Sequence, residues 1–309
     1  MFVPRTARLA AGILSVVALA AAVEATAGAI TLRPVADTSL FNLNGGSNNF
    51  GGSTTMVVGT TASGSSSRAL VRFDIVGNVP AQALITSAQL NLIVTKANAA
   101  GVASAFEVHR LLQPWGEGSK TGDIGAAAAS GEATWFHRFF PTDAWSRPGA
   151  SAPADFAADA SAMANVDKPA PYSFGSSSNL VADVQSWLTN SDANFGWIVL
   201  SQSEGTPVTS RRIGTREDPA NAPTLVVDFI LPPTIVEPAL HATNCAFHFT
   251  VDAGFIYTVE YTAAFPATNW LVLTNLGSKV EGFEAGVTNS ILDSPSRFFR
   301  LSRVPCNCR

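Results

Sequence analysis

Two adjacent runs of alternating apolar and polar residues, between positions 69 and 94, constrain the fold of this chain more than any other feature. A period of two with branched and aromatic residues is typical of strands that bury one face. Gly77, Asn78 and Pro80 interrupt the alternation, so we expect a loop, and not a two-residue turn, between the strands. An apolar row needs a second sheet to cover it, and downstream segments are expected to supply that cover. The row consists of Val71, Phe73, Ile75, Ala88, Leu90, Leu92 and Val94.

The composition favours a loop-rich, β-dominated globular protein. The 309 residues are 47% hydrophobic and 14% charged, with 24 glycines and 18 prolines, which suits one large and one small domain better than a helical bundle. The formal net charge is -4 and no basic cluster stands out. Nucleic acid and an acidic membrane surface are therefore not expected partners.

The N-terminus has the pattern of a secretory signal peptide. Arg5 and Arg8 precede an apolar run over 9–23, and small residues follow it as far as Ala29. We predict a signal peptide over 1–29, export to the cell surface or medium, and no membrane insertion after cleavage. A membrane anchor is the alternative, but the run is short for a span.

All three cysteines lie near the C-terminus. In an exported protein we expect a disulfide from Cys245 to Cys306 or Cys308, closing a loop of about 60 residues and stabilising it by roughly 4 kcal/mol. Three free thiols are the alternative. Zinc is not expected, because neither a CxxC pair nor histidines at ligand spacing accompany them.

The remaining runs predict two β domains. The first covers 30–230 and includes one short helix, in which Leu180, Val184 and Trp187 recur at helical spacing, together with a long decorated loop over 113–173. Three prolines make 231–240 a stiff linker. Beyond it, strand-like runs at short spacing predict a small all-β domain over 241–309.

Several motifs between residues 30 and 230 occur in an order known from one family. They are LVRFDI, ITSAQLNLIV, VHRLLQPWGEG, ATW, LVADVQSWLTNSDANFGWIVLS and SRRIGTREDPANAPTLVVDF. In these the chain resembles the DNRLRE domain, named for disaggregatase-related proteins. The resemblance implies a jelly-roll β-sandwich, as in carbohydrate-binding modules of family 96, which include alginate binders. Residues 118–170 are longer and more alanine-rich than the family pattern. Residues 245–305 are similar to small β-modules that close many exported bacterial proteins.

A sugar-binding sandwich needs aromatic rings and planar hydrogen-bonding groups on an open face. The alternation predicts that Arg72 lies beside Gln89 and Asn91 opposite the apolar row, and Arg212 and Arg216 would line a late strand. Together they would form a cationic groove for an acidic polysaccharide. The alternative is that Arg72 and Arg212 form structural ion pairs with Asp74, Glu217 or Asp228.

Tryptophans in the long loop are further candidates for sugar contacts. Trp115, Trp135 and Trp145 either present their rings to a ligand or pack the loop onto the sandwich. Trp187 and Trp197 lie in apolar periodic segments and are expected in the core.

One polar loop offers oxygen ligands for a structural calcium ion. Asp37 is the candidate ligand, with Asn42, Asn44, Asn48 and Asn49 nearby, although Asn- and Gly-rich loops more often serve turn geometry alone. No other cofactor is expected.

Catalysis has little support in the sequence. No nucleophile motif occurs, and His109 with Glu107 and Asp123 is an unremarkable set. We therefore predict a secreted, non-catalytic polysaccharide-binding protein, with acidic glycans such as alginate as the expected ligands. A structural or adhesive envelope protein is the main alternative, and a polysaccharide lyase comes third.

Overall fold

The computed structural model describes residues 18–19, 27–99, 101–241, 243–263, 266, 269–277, 281–290, 292 and 297–306. Within these residues it contains 22 strands and one α-helix, so the predicted all-β sandwich class is confirmed. Gly28–Leu231 forms one compact unit, and a second unit begins at Pro232 and includes the strand Ala18–Leu19. The rest of the predicted signal peptide up to residue 26 lies outside the described residues.

The elements are numbered in chain order. The strands are β1 (Ala18–Leu19), β2 (Ala27–Leu32), β3 (Pro34–Phe41), β4 (Asn48–Asn49), β5 (Thr55–Thr60), β6 (Ser66–Phe73), β7 (Leu84–Ala97), β8 (Ser104–Arg110), β9 (Ala126–Ala127), β10 (His137–Phe139), β11 (Asp143–Ala144), β12 (Ala162–Val166), β13 (Ala170–Phe174), β14 (Trp197–Ser201), β15 (Arg211–Gly214), β16 (Thr224–Ile230), β17 (Val236–His241), β18 (Asn244–Val251), β19 (Phe255–Thr262), β20 (Leu271–Leu276), β21 (Phe283–Ser290) and β22 (Phe298–Pro305). The helix α1 is Ser178–Thr189, and short 3-10 turns lie at Asn44–Gly46 and Ser191–Ala193.

An 11-stranded curled sheet encloses the main core of the first unit. Its order is β12-β8-β14-β6-β5-β15-β7-β16-β2, with β3 paired to β6 and β13 paired to β7. The two strands of the alternating stretch, β6 and β7, are not neighbours in this sheet. Both send their apolar row into one core, where Phe73 and Leu90 are fully buried. Each of the two strands therefore helps to cover the other.

The helix α1 packs its apolar stripe into the same core. Leu180, Val184 and Trp187 are buried, and the Trp187 ring contacts that of Trp197 edge-on at a centroid distance of 4.5 Å. The N-cap is Ser177, whose hydroxyl accepts from the Leu180 amide at 3.0 Å. The predicted helix and the core placement of both tryptophans are confirmed.

A second apolar cluster covers the outer face of β3, β6 and β14. Leu40, Leu70 and Ile198 point outward from these strands and pack against side chains of the segment 111–156. That segment, predicted as a decorated loop, is thus an ordered layer with short strands of its own. Its apolar contributions are Leu111, Trp115, Ala133, Trp135, Trp145, Ala150 and Phe156.

The second unit consists of two small sheets around its own core. One has the order β1-β21-β18-β17 and the other β20-β19-β22, and Phe247, Phe249 and Tyr257 fill the space between them. The predicted strands of this region are present. β17 occupies part of the predicted linker, which is therefore shorter than 231–240, and β21 was not expected because its alternation is weak. No described helix is long and apolar enough to cross a membrane.

The predicted disulfide of Cys245 is wrong in this structure. Cys245 is a free, partly buried thiol on β18, opposite Leu240 and Asn289. Cys306 is disulfide-bonded and follows β22, which belongs to the other sheet. Cys308 lies outside the described residues.

We predict that the two units fold separately. Proteinase K should cut first between residues 231 and 235, because this segment precedes β17 and contributes no strand. Gel electrophoresis and mass spectrometry should then find two stable fragments. Loss of both parts at the same rate, without a cut in this segment, would contradict separate folding.

Candidate ligand-binding site

Arg72 does not share a surface with Gln89 and Asn91, so that part of the predicted groove is wrong. Arg72 lies on the outer face of β6, below the covering layer, and its guanidinium is 5.8 Å from the ring centre of Trp115. Trp115 is buried and donates its indole N–H to the Phe195 carbonyl at 2.8 Å. The groove fails because β6 and β7 belong to different parts of the sheet and their polar faces are separated by the core.

The loop tryptophans serve packing in this structure. Trp135 and Trp145 are buried, and Trp145 donates to the Thr134 carbonyl at 3.1 Å. Arg68 covers the Trp135 ring at 5.7 Å and is itself paired with Glu204 at 2.5 Å. Prediction of Trp115 and Trp135 as sugar platforms is therefore wrong, since their faces are occupied by protein.

Gln89 and Asn91 lie on a polar strip along β7. Asn91 accepts from Gln89 at 2.8 Å and from the Ser173 hydroxyl at 2.7 Å, and its amide faces Thr224 at 3.4 Å. This row crosses β13, β7 and β16 and is half exposed. This surface is neutral, and its polar groups mainly form hydrogen bonds with one another.

A cationic pocket lies further along the same strand. Arg212 on β15 lies between two paired residues, Lys96 on β7 and Val57 on β5. The pocket has a volume of ≈ 170 Å³ and combines two cations, a polar rim and an apolar floor. It is lined by Phe41, Val57, Thr61, Lys96, Ala97, Asn98, Ser210 and Arg212.

The two cations of this pocket differ in their partners. Arg212 Nη1 is 3.2 Å from Thr55 Oγ1 and 3.0 Å from Asp123 Oδ1, but the Asp123 side chain is 80% exposed. Lys96 is exposed, and its ammonium has no acidic partner in the part of the chain that the structure describes. An incoming carboxylate could therefore bind Lys96 directly and compete with Asp123 for Arg212.

A β-bulge explains why sequence reasoning missed Lys96. Strict alternation after Val94 would point residue 96 into the core. In the structure Val94 pairs with Ile213 and Lys96 with Arg212, which leaves Thr95 as the extra residue. The bulge turns Lys96 to the outer face beside Arg212. No residue in this run signals the bulge by its type.

Arg216 belongs to a separate ion cluster. It follows the end of β15 and binds Glu117 through two hydrogen bonds, of 2.7 and 3.0 Å, and lies 3.1 Å from Glu217. Arg216 therefore forms structural ion pairs in this structure. Its predicted place on one strand face with Arg212 is wrong, because the strand ends at Gly214.

Asp37 lies in the centre of this cluster. It is 1% exposed, and its Oδ2 accepts from the Arg216 amide at 2.8 Å, whereas Oδ1 has no partner among the described residues. Burial, the largest cause, and the charges of Glu217 and Glu117 together raise the pKa of Asp37 to about 7, against the opposing effect of the hydrogen bond from the Arg216 amide. The described part of the chain has no group of three or more His, Cys, Asp or Glu side chains arranged for a metal ion, and calcium at Asp37 stays a prediction.

The comparison with known families fits this geometry. Residues 28–123 match the model of carbohydrate-binding module family 96. The predicted resemblance is thereby confirmed and indicates carbohydrate binding. The matched segment includes Lys96 and Asp123, while Arg212 comes from outside it. No curated protein matches the chain.

The family 96 segment ends in a loop that two arginines hold. Glu117 binds Arg216 at one end of the loop, and Asp123 binds Arg212 at the other. Between them, Asn49 is fully buried and uses its whole amide. It donates to the carbonyls of Glu117 at 2.7 Å and Ala133 at 2.9 Å, and its Oδ1 accepts the amides of Gly51 and Lys120. Asn49 therefore holds this loop in place, and its side-chain oxygen is already used by two amides and is not available to calcium.

The three candidate catalytic residues, His109, Glu107 and Asp123, do not form one site. His109 Nε2 lies 3.3 Å from Glu107 and its Nδ1 lies 2.9 Å from the Ala157 carbonyl, whereas Asp123 is bound to Arg212. The family match is to a binding module and not to a catalytic domain.

Asn49→Asp should destabilise the first unit. The carboxylate would face the two carbonyls to which Asn49 now donates, at a cost of about 2–4 kcal/mol. Urea unfolding should show a lower midpoint, and the matched variant Asn165→Asp, at an exposed position, should not. An unchanged midpoint for Asn49→Asp would contradict this description of the loop.

Asp37 should make stability depend on pH. Since the folded protein holds this proton with a pKa of about 7 against 3.8 for the ordinary group, its contribution is complete below about pH 4. It is lost as the pH rises through 7, a change on the order of 4 kcal/mol. Asp37→Asn should flatten the melting temperature between pH 4 and 7, whereas the exposed control Asp192→Asn should keep the wild-type slope. Equal slopes in all three proteins would contradict the raised pKa.

Proposed function

We propose that this chain is a secreted, non-catalytic protein that binds an acidic polysaccharide, such as alginate, at the pocket between Lys96 and Arg212. The observation that carries the proposal is an ammonium without an acidic partner beside a guanidinium whose one acidic partner, Asp123, is largely exposed, both as judged over the described residues. Such a pair of cations is suited to a ligand that carries carboxylates.

The lining of the pocket supports a uronate as the bound unit. Its carboxylate can take the place of Asp123 on Arg212, where charge-assisted hydrogen bonds are worth roughly 1.5–3 kcal/mol before exposure weakens them. Phe41 and Val57 close the floor of the pocket and are themselves almost completely buried, so the rim of the pocket makes the contacts to the sugar. The hydroxyls of Thr61 and Ser210 are suited to ring hydroxyls.

Export and the absence of catalysis are part of the same proposal. The N-terminal pattern of Arg5, Arg8 and the apolar run supports export. The family 96 match supports a binding role. A structural or adhesive envelope protein remains the alternative, and it requires no ligand in the pocket.

The proposal predicts a charge-dependent loss of binding in pocket variants. Lys96→Ala and Arg212→Ala should each weaken binding of alginate oligosaccharides by about tenfold, because each removes one carboxylate contact. Asp123→Asn should strengthen binding, because it removes the internal competitor of the ligand. Isothermal titration calorimetry measures these affinities, and added salt should weaken them since the pairs are exposed.

Matched controls separate the pocket from general charge. Lys168→Ala and Arg147→Ala remove the same side chains at exposed positions outside the pocket and should leave the affinity unchanged. A neutral glucan should not bind here. If the wild-type protein does not bind alginate or other acidic glycans, or if the controls lose as much affinity as the pocket variants, the proposed site is wrong. A structural or adhesive envelope protein then becomes the better explanation.

A further inference from the structure

A second concave site occurs in the first unit and shares no residue with the Lys96–Arg212 pocket. It has a volume of ≈ 220 Å³ and lies where β8, the segment after Ala157 and the first turns of α1 meet. The residues that line it are Arg110, Ala157, Asp159, Ser161, Asn179, Ala182 and Asp183. Its side chains have no role in the acidic-glycan site.

The inner wall of this pocket is a buried carboxylate held in one orientation. Asp183 is 7% exposed, and its Oδ2 accepts from the Ser161 hydroxyl at 2.5 Å and from the Trp197 indole at 2.9 Å. Oδ1 is left 3.4 Å from Arg110 Nε. Burial raises the pKa of Asp183, and these partners oppose that shift. A carboxylate with one oxygen fixed by the core and the other directed at a guanidinium is pre-organised as an acceptor.

The outer wall provides donors and acceptors that are not fully used. The Arg110 side chain is 38% exposed, and its Nη1 reaches Ser186 only at 3.5 Å, whereas its Nε is buried beside Asp183 and makes no hydrogen bond among the described residues. The side-chain amide of Asn179 donates a hydrogen bond to the Ala160 carbonyl at 3.1 Å, so its side-chain oxygen is left as an acceptor. Asp159 is exposed and has no partner in the described part of the chain.

The charges of this pocket select against an acidic ligand. Asp159 and Asp183 carry two negative charges when ionised against one positive charge on Arg110, the reverse of the Lys96–Arg212 pocket. A neutral sugar matches the set better, because each of its hydroxyls donates and accepts at once. Neighbouring hydroxyls can donate to a carboxylate and accept from a guanidinium that lie side by side, as Asp183 and Arg110 do.

We propose that this pocket binds a neutral hexose unit, with Arg110 donating to the sugar hydroxyls and Asp159 and Asp183 accepting from them. The pocket is a second carbohydrate site of opposite selectivity, and it does not depend on acidic-glycan binding at Lys96. A chain with both sites would hold a mixed or composite polysaccharide by two contacts, and linked sites raise the apparent affinity without new contacts at either one.

Saturation-transfer NMR and calorimetry with methyl glucoside, methyl galactoside and methyl mannoside test the site in the full chain. At least one of these sugars should bind at millimolar concentration. Asp159→Ala and Arg110→Ala should each weaken that binding by about tenfold or more. Asp159 is exposed, so its variant is expected to fold, and an unchanged melting temperature checks this.

Two controls keep the outcomes distinct. Lys96→Ala should leave neutral-sugar binding intact while it weakens alginate binding, and Asp192→Ala, at an exposed position outside the pocket, should change neither. If none of the three sugars binds the wild-type protein, or if Asp159→Ala binds as wild type does, the proposed neutral site is wrong. Neither result bears on the acidic-glycan site, which the Lys96→Ala and Arg212→Ala affinities test separately.

Discussion

The burial of both faces of β6 is the constraint on which the first unit depends. Val71 and Phe73 enter the main core from one face, and Leu70 enters the second cluster from the other. A strand without a free face cannot present a ligand surface, so the covering layer removes this half of the sandwich from binding. Among the described residues, the concave surfaces that stay open include the β5–β15–β7 surface and the edge beside α1.

The arginines illustrate how burial decides the role of a charge. Arg211 is 1% exposed, and backbone carbonyls, among them that of Val102 at 2.8 Å, accept from its guanidinium. Desolvation lowers its pKa, yet carbonyl acceptors suffice to keep such a group inside a protein. Arg216 is held by carboxylates at the sandwich end. Arg212 alone among these three has an acidic partner that solvent can readily replace.

Local pattern predicted the fold well because strand alternation and helical spacing are properties of neighbouring residues. The core row, α1 and the placement of Trp187 and Trp197 followed from it. The site depended on features that the pattern does not contain: which strands are neighbours, what covers the outer face of β6, and where a strand gains an extra residue. Arg72 and Trp115 were misassigned for the second reason. Lys96 was missed for the third.

The bulge at Thr95 makes the charge of the cationic pocket a matter of local backbone geometry. Without the bulge, Thr95 would take the place opposite Arg212, and Lys96, two residues after Val94, would face the hydrophobic interior although the sequence is the same. Relatives aligned only by residue type at this position would look equivalent while facing opposite sides of the sheet. The gain or loss of a bulge in β7 is therefore a route by which such modules can gain or lose selectivity for charged glycans.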